Sequence, residues 1–178
     1  IVDSAALNLD TILVGLMVSA TTAGIYFNAF RNAGLLTLFM FAITLVIAPI
    51  VARHYHAGDM RKAQAITTLC AWAGFVFSLA VFIGFVLFGH EILSLFGPGN
   101  EDGYPILIIL SIGLMVDAAT GPTRIVLMMT GGERAYVAIF GTIMAVGFVF
   151  QAALLPLYGV LGAALVNMGA RILAQFAI

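Results

Sequence analysis

Six apolar stretches, each long enough to cross a bilayer, fill nearly all of this 178-residue chain. A span needs about 20 mostly apolar residues, because a helix rises about 1.5 Å per residue. The six cover about residues 5–20, 24–52, 65–88, 104–129, 136–155 and 160–178. Only 8% of residues are charged and 63% are apolar, against roughly 25% and 45–50% in an ordinary soluble domain. A soluble fold would have almost no polar surface with which to cover its core. Backbone polar groups in lipid must be satisfied within their own segment, so the spans are read as helices. The alternation over about ten residues that marks a membrane β-strand is missing. The expected fold is an all-α integral membrane bundle of six transmembrane helices.

The loops set an orientation. Arg53, His54, His56, Arg61 and Lys62 fall in the connection between the second and third spans, and Arg134 in the connection after the fourth. The other three connections, 19–23, 89–103 and 156–159, carry no Lys or Arg, and 89–103 carries Glu91, Glu101 and Asp102. By the positive-inside rule the basic loops 53–62 and 131–134 are cytoplasmic. Within 89–103, residues Glu91 to Phe96 have near-helical spacing and precede Gly97-Pro98-Gly99. A short helix at the outer interface is expected there, ended by the Gly-Pro-Gly break. Those glycines do not make a phosphate-binding loop, since no strand precedes them and no Lys-Ser/Thr follows.

Other features narrow the class. The chain begins at Ile1 without an initiator Met and stops at Ile178 inside an apolar run, so a piece of a longer protein is expected. There is no signal-peptide pattern at its start. A formal net charge of -1 gives no basic nucleic-acid surface. Cys70 is the single cysteine, so neither a disulfide nor a Cys-based zinc site can form within the chain. His54 and His56 lack further ligands, and His90 stands alone. No metal site or cofactor is expected, and no hydrolase or paired-carboxylate constellation is present.

The informative residues are the charges inside the spans, because burying charge in lipid is costly and such groups face protein or water. They are Asp10, Arg31, Asp117, Arg124 and Arg171. Asn28 precedes Arg31 by three residues on one helical face, and Asn167 precedes Arg171 by four. These two Asn-then-Arg faces offer cationic donors to an anionic substrate in a shared cavity. Packing between helices is the competing reading, evenly weighted for Arg31 and favoured for Arg171. Asp117 lies near the middle of the fourth span, and Gly121-Pro122 interrupts the helix before Arg124. A broken helix with an acid near the midplane recurs in transporter sites and gates. Asp117 can hold a proton or sodium ion there, or form a structural ion pair. Arg124 can also snorkel to the cytoplasmic interface. Asp10, beside Asn8 and Thr11, makes the first span a poor lipid-facing helix, suited to lining a cavity or helix interface.

An ordered set of stretches resembles a known family. The set opens with Leu9-Asp10-Thr11-Ile12-Leu13-Val14-Gly15 and Ala23-Gly24-Ile25-Tyr26-Phe27-Asn28-Ala29-Phe30-Arg31. Ala48-Pro49-Ile50-Val51-Ala52 and Gly58-Asp59-Met60-Arg61-Lys62-Ala63 follow. Then come Ile92 to Gly97, Ala119-Thr120-Gly121-Pro122, Met129-Thr130-Gly131-Gly132-Glu133 and Tyr158-Gly159-Val160-Leu161-Gly162-Ala163-Ala164. In this order the chain resembles the C-terminal six-helix lobe of a Wzx-type polysaccharide or oligosaccharide flippase. These belong to the multidrug/oligosaccharidyl-lipid/polysaccharide (MOP) exporter superfamily. The resemblance implies one lobe of a two-lobe, MATE/MOP-like transporter facing a missing N-terminal lobe of the same chain across a central cavity. It implies translocation of undecaprenyl-pyrophosphate-linked oligosaccharide by alternating access. It also implies a cavity cation for the pyrophosphate, a role matched by Arg31 in its Tyr-x-x-Ala-x-Arg context.

Two other classes are weighed beside it. A cation-coupled multidrug (MATE-type) exporter would line its cavity with acids, whereas three intramembrane Arg here face two Asp. A non-transport membrane subunit, or an enzyme of lipid-linked sugar assembly, would be expected to carry catalytic groups in a large outer loop. The loop 89–103 offers only His90, Glu91, Glu101 and Asp102. The expected partners are membrane lipid and the lipid-linked sugar pyrophosphate, and not nucleic acid.

Overall fold

The computed structural model of the chain describes residues 14–120, 127 and 131–177. Most of the first expected span, with Asp10, lies outside the described residues, as do the Gly121-Pro122 break and Arg124. The rest is all-helical: α1 (Ala20–Ala33), α2 (Leu35–His56), α3 (Met60–Ser94), α4 (Tyr104–Thr120) and α5 (Glu133–Ala177), with a 3-10 turn at Asn100–Gly103. Among the described residues four helices are long and apolar enough to cross a membrane.

Local chemistry sets the ends of these helices. Ser19 is extended, at φ -166° and ψ 158°, and its Oγ accepts the Thr22 N–H at 3.1 Å, capping α1. Here the chain doubles back, because a β-carbon built on Gly15 would stand 3.4 Å from that of Ala23. Only Gly34 separates α1 from α2, and its N–H still reaches Phe30 O at 3.1 Å. The expected second span, 24–52, is therefore a longer helical run from Ala20 to His56. At its far end Gly58 N–H donates to Tyr55 O and Asp59 N–H to His54 O, at 3.0 and 2.9 Å. These are the two bonds of a Schellman stop, and Gly58 supplies the positive φ of 78° that it requires. Asp59 then caps α3 by accepting the Lys62 N–H at 3.3 Å.

α3 begins before the expected apolar stretch and is kinked at Phe88, where φ is -126° and ψ 15°. Gly89 follows, packed so close to the Tyr104 ring that a β-carbon would stand 2.7 Å from it. The outer-interface helix expected over Glu91–Phe96 is the arm beyond this kink, ending at Ser94 before the glycines.

α4 is the centre of the bundle and packs on α1, α2, α3 and α5. Ile106, Leu107, Leu110 and Leu114 of α4 meet Tyr26, Ala29 and Ala33 of α1, Leu36 of α2, Phe85 and Leu93 of α3, and Ala163 and Ala164 of α5 in one core. Small residues let these backbones approach, as is usual where lipid gives no hydrophobic drive between helices. At Gly113 the neighbour is backbone, and a β-carbon would lie 3.2 Å from Met168 Cα. Ser78 ties α3 to α2 by donating to Leu36 O at 2.6 Å.

α5 is two helices in one. Gly159 adopts φ 60° and ψ -154°, a conformation that costs little only for glycine. A β-carbon on Gly147 would stand 3.1 Å from Ala170 Cβ, yet a straight helix would separate these residues by about 34 Å. The chain thus reverses at Gly159 into two antiparallel arms, 133–158 and 160–177. The expected connection over 156–159 shrinks to one residue, and Pro156 stays within the first arm.

The outside of the bundle is apolar. Leu45, Leu69, Trp72 and Val149 are 63%, 70%, 64% and 67% exposed. Large apolar side chains left outside in this number call for lipid or protein cover.

Candidate functional site

α1, α4 and the second arm of α5 run in the same direction, with α4 starting level with the middle of α1. The Asn100–Gly103 turn sits on α1, with Gly103 against Ile25 and Ala29, and Gly113 of α4 sits on Met168. At 1.5 Å per residue, Arg171 and Asp117 lie about 18 and 20 Å along their own helices, whereas Arg31 lies only about 3–9 Å beyond the level of the turn. The fold thus brings Arg171 and Asp117, far apart in sequence, to one depth, with Arg31 nearer the turn.

The second arm of α5 carries the organising stripe. Asn167, Arg171 and Gln175 follow one another at four-residue spacing and share a helical face. Arg171 Nε donates to Asn167 Oδ1 at 2.8 Å, a bond made within the helix between neighbours on one face. The same guanidinium lies over the Phe30 ring of α1, 5.9 Å from its centroid, within reach of a cation–π attraction. Gln175 Nε2 donates to Asp117 Oδ1 of α4. Thr120 Oγ1 bonds the Asp117 backbone carbonyl at 2.8 Å. No Arg pairs with Asp117 among the described residues, so the structural ion pair weighed for it is replaced there by an amide partner.

Arg31 and Asn28 behave differently from their sequence counterparts. Arg31 is exposed and makes no hydrogen bond or ion pair among the described residues. Asn28 turns to the loop instead, where its Nδ2 donates to Asn100 Oδ1 at 2.8 Å. Asn100 in turn donates to Phe96 O and Gly97 O at 3.0 and 3.1 Å. Asn28 therefore fastens the loop around Asn100 to α1, and its amide oxygen is not paired with Arg31 despite the three-residue spacing.

Sequence reasoning passed over Phe30 and Gln175. Gln175 was legible as the third member of the i, i+4, i+8 polar series, but Phe30 had no signal apart from its place beside Arg31. Two buried polar groups also escaped it: Ser111 Oγ and Gln151 Nε2, in residues 0% and 2% exposed, have no hydrogen-bond partner among the described residues. Among the described residues no three His, Cys, Asp or Glu side chains come together as a metal site would need.

Chemically, the site presents two guanidinium groups, Arg171 over the Phe30 ring and Arg31 next to Phe30 in sequence, neither neutralised by a carboxylate among the described residues. One is pre-oriented by Asn167 and Phe30, the other is free to reach. Guanidinium forks match phosphate oxygens in charge and geometry.

The chain is 26% identical over 164 residues to the "Probable flippase AglR" of Haloferax volcanii. The likeness is to a flippase. It covers 90% of this chain but 34% of that relative, so the chain spans about a third of the relative's length. No protein-family profile and no solved structure matches the chain. Together with the apolar helices, the likeness supports a multi-pass membrane protein.

Proposed function

We propose that this chain is the C-terminal lobe of a Wzx-type MOP flippase that carries lipid-linked oligosaccharide across a bacterial or archaeal cytoplasmic membrane. The substrate class is an oligosaccharide on an undecaprenyl-type pyrophosphate, moved to the outer leaflet by alternating access. The observation that carries this reading is a pair of cations with no carboxylate partner among the described residues: Arg171, which lies over the Phe30 ring, and Arg31, the next residue along α1. A cavity for cationic drugs would be lined mainly by acids. In this reading Arg31 and Arg171 meet the pyrophosphate, and Asn167 orients Arg171. Asn28 acts at a distance by holding the outer loop. Asp117 takes part in ion coupling or gating, together with Asp10, Arg124 and the Gly121-Pro122 break. The hairpins at Ser19 and Gly159 fit a six-span lobe with loops 53–62 and 131–134 on the cytoplasmic side. A second lobe of the same chain supplies the opposite wall of the cavity.

The test is deletion of the gene in its own host, followed by measurement of lipid-linked oligosaccharide on each leaflet. Deletion is expected to trap the lipid-linked sugar on the cytoplasmic leaflet. The intact gene should restore export, whereas Arg31→Ala and Arg171→Ala should not at equal membrane abundance. Undiminished export in both variants would remove the phosphate-binding role, and no trapping on deletion would remove the flippase reading.

A further inference from the structure

A second feature lies on the opposite side of α3 from the packed core. Ala63, Cys70, Gly74 and Ser78 form the buried stripe of that helix. At about 100° per residue, Arg61, Thr68 and Trp72 fall some 140–180° around from Ala63, pointing away from the bundle. A shallow, open cleft of about 490 Å³ between side chains of α3 alone runs along this outward face, lined by Arg61, Gln64, Ala65, Thr68, Leu69 and Trp72.

Its chemistry is graded along the helix. Arg61 stands at the end nearest the basic loop, exposed and without a hydrogen bond or ion pair among the described residues. The neighbouring cation is already committed, since Lys62 Nζ lies 3.0 Å from Asp59 Oδ2. Gln64 and Thr68 add hydrogen-bonding groups one and two turns further along. The Thr68 hydroxyl is uncommitted among the described residues, whereas Thr67 spends its own on Ala63 O at 2.9 Å. Leu69 and Trp72 then make the far end apolar, and Val76 and Ile83, 59% and 50% exposed, continue that face. Arg61 to Trp72 spans about 16 Å, close to half of a hydrocarbon core about 30 Å thick.

We propose that this cleft binds an anionic phospholipid, its phosphate held by Arg61, Gln64 and Thr68 and one acyl chain laid along Leu69 and Trp72. A cation, then neutral donors, then apolar surface over one leaflet's depth is the order of groups such a lipid presents. The assignment to the cytoplasmic leaflet rests on the orientation proposed above. The site itself does not depend on the flipping reaction.

Trp72, the single tryptophan of this sequence, lies inside the cleft and reports on it directly. The intact protein is reconstituted in equal mixtures of phosphatidylglycerol and phosphatidylcholine, with one or the other brominated on its acyl chains. Quenching of Trp72 fluorescence is read after subtracting the Trp72→Phe protein, which removes the signal of any other tryptophan. Brominated phosphatidylglycerol is expected to be enriched at Trp72 about fivefold over phosphatidylcholine, the factor one basic residue supplies near anionic lipid. Arg61→Gln should abolish the preference, while Arg61→Lys and Lys62→Gln should retain most of it. Equal quenching by the two lipids in the unmodified protein would reduce the cleft to ordinary lipid contact and overturn the site. No quenching by either would mean that protein covers this face, and would overturn it too. The comparison of lipids in the unmodified protein decides the matter even if Arg61→Gln fails to fold.

Discussion

Substituting Gly113 tests how closely α4 and the second arm of α5 approach. A β-carbon at Gly113 would lie 3.2 Å from Met168 Cα and 3.2 Å from its Cγ, inside the optimum of about 3.5–4.0 Å for carbon pairs. Backbone cannot step aside as a side-chain tip can, so the two helices must part by several tenths of an ångström. Such overpacking costs about 1–3 kcal/mol, while replacing glycine by alanine within a helix returns up to about 1 kcal/mol. Gly113→Ala should therefore lose about 1 kcal/mol net. Gly169, one residue beyond Met168, has nothing within 4 Å of its β-carbon position. Gly169→Ala should keep only the helical gain, of up to about 1 kcal/mol. The two variants, differing by one methyl on adjoining helices, should thus separate by about 2 kcal/mol. Reversible unfolding of the intact protein in mixed detergent micelles measures that gap. A Gly113→Ala protein as stable as Gly169→Ala would refute the close approach, and with it the common depth assigned to Arg171 and Asp117.

Two further outcomes follow from contacts already described. Asp117→Ala strands the Gln175 amide between helices and should cost about 1–3 kcal/mol in the same unfolding assay, whereas Asp117→Asn keeps an acceptor and should cost less; equal losses would mean that Gln175 finds another partner. At the α2–α3 turn, the Lys62 ammonium, and after it the Lys62 backbone N–H, hold the Asp59 carboxyl below its ordinary value. A carboxyl lowered on folding stabilises the fold above its unfolded pKa of about 3.9 and loses that contribution as pH falls through the folded value. Amide protection at the start of α3, taken relative to the intrinsic exchange rate at each pH, should accordingly fall below about pH 4 and be low at every pH in Asp59→Ala; protection that does not change with pH in the unmodified protein would remove the cap from this account.

What the sequence disclosed, and what it hid, divide along physical lines. Hydropathy marks where lipid would touch the chain, so the apolar stretches 24–52, 65–88 and 136–155 all lie inside observed helices. It says nothing of helix ends, which depend on polar groups outside the stretch. Ser19 and Asp59 carry α1 and α3 beyond their apolar limits, and the paired bonds around Gly58 end α2. The break at Gly97-Pro98-Gly99 was legible because glycine and proline act locally. The kink at Phe88 was not, since it accompanies a contact between Gly89 and a tyrosine fifteen positions away in sequence. In the candidate site, the Asn167–Arg171 pair could be read from spacing alone because both partners lie on one helix. The partners of Asp117 and Asn28 could not, because Gln175 and Asn100 reach them from other elements.

The one-residue reversal at Gly159 has a consequence for how such a protein is made. With no slack between residues 158 and 160, the turn favours entry of the two arms of α5 into the bilayer together, as a pair. The polar stripe of Asn167, Arg171 and Gln175 then crosses the lipid in company with the arm that precedes it, and the insertion machinery receives one thick, partly shielded object instead of a lone helix bearing an arginine.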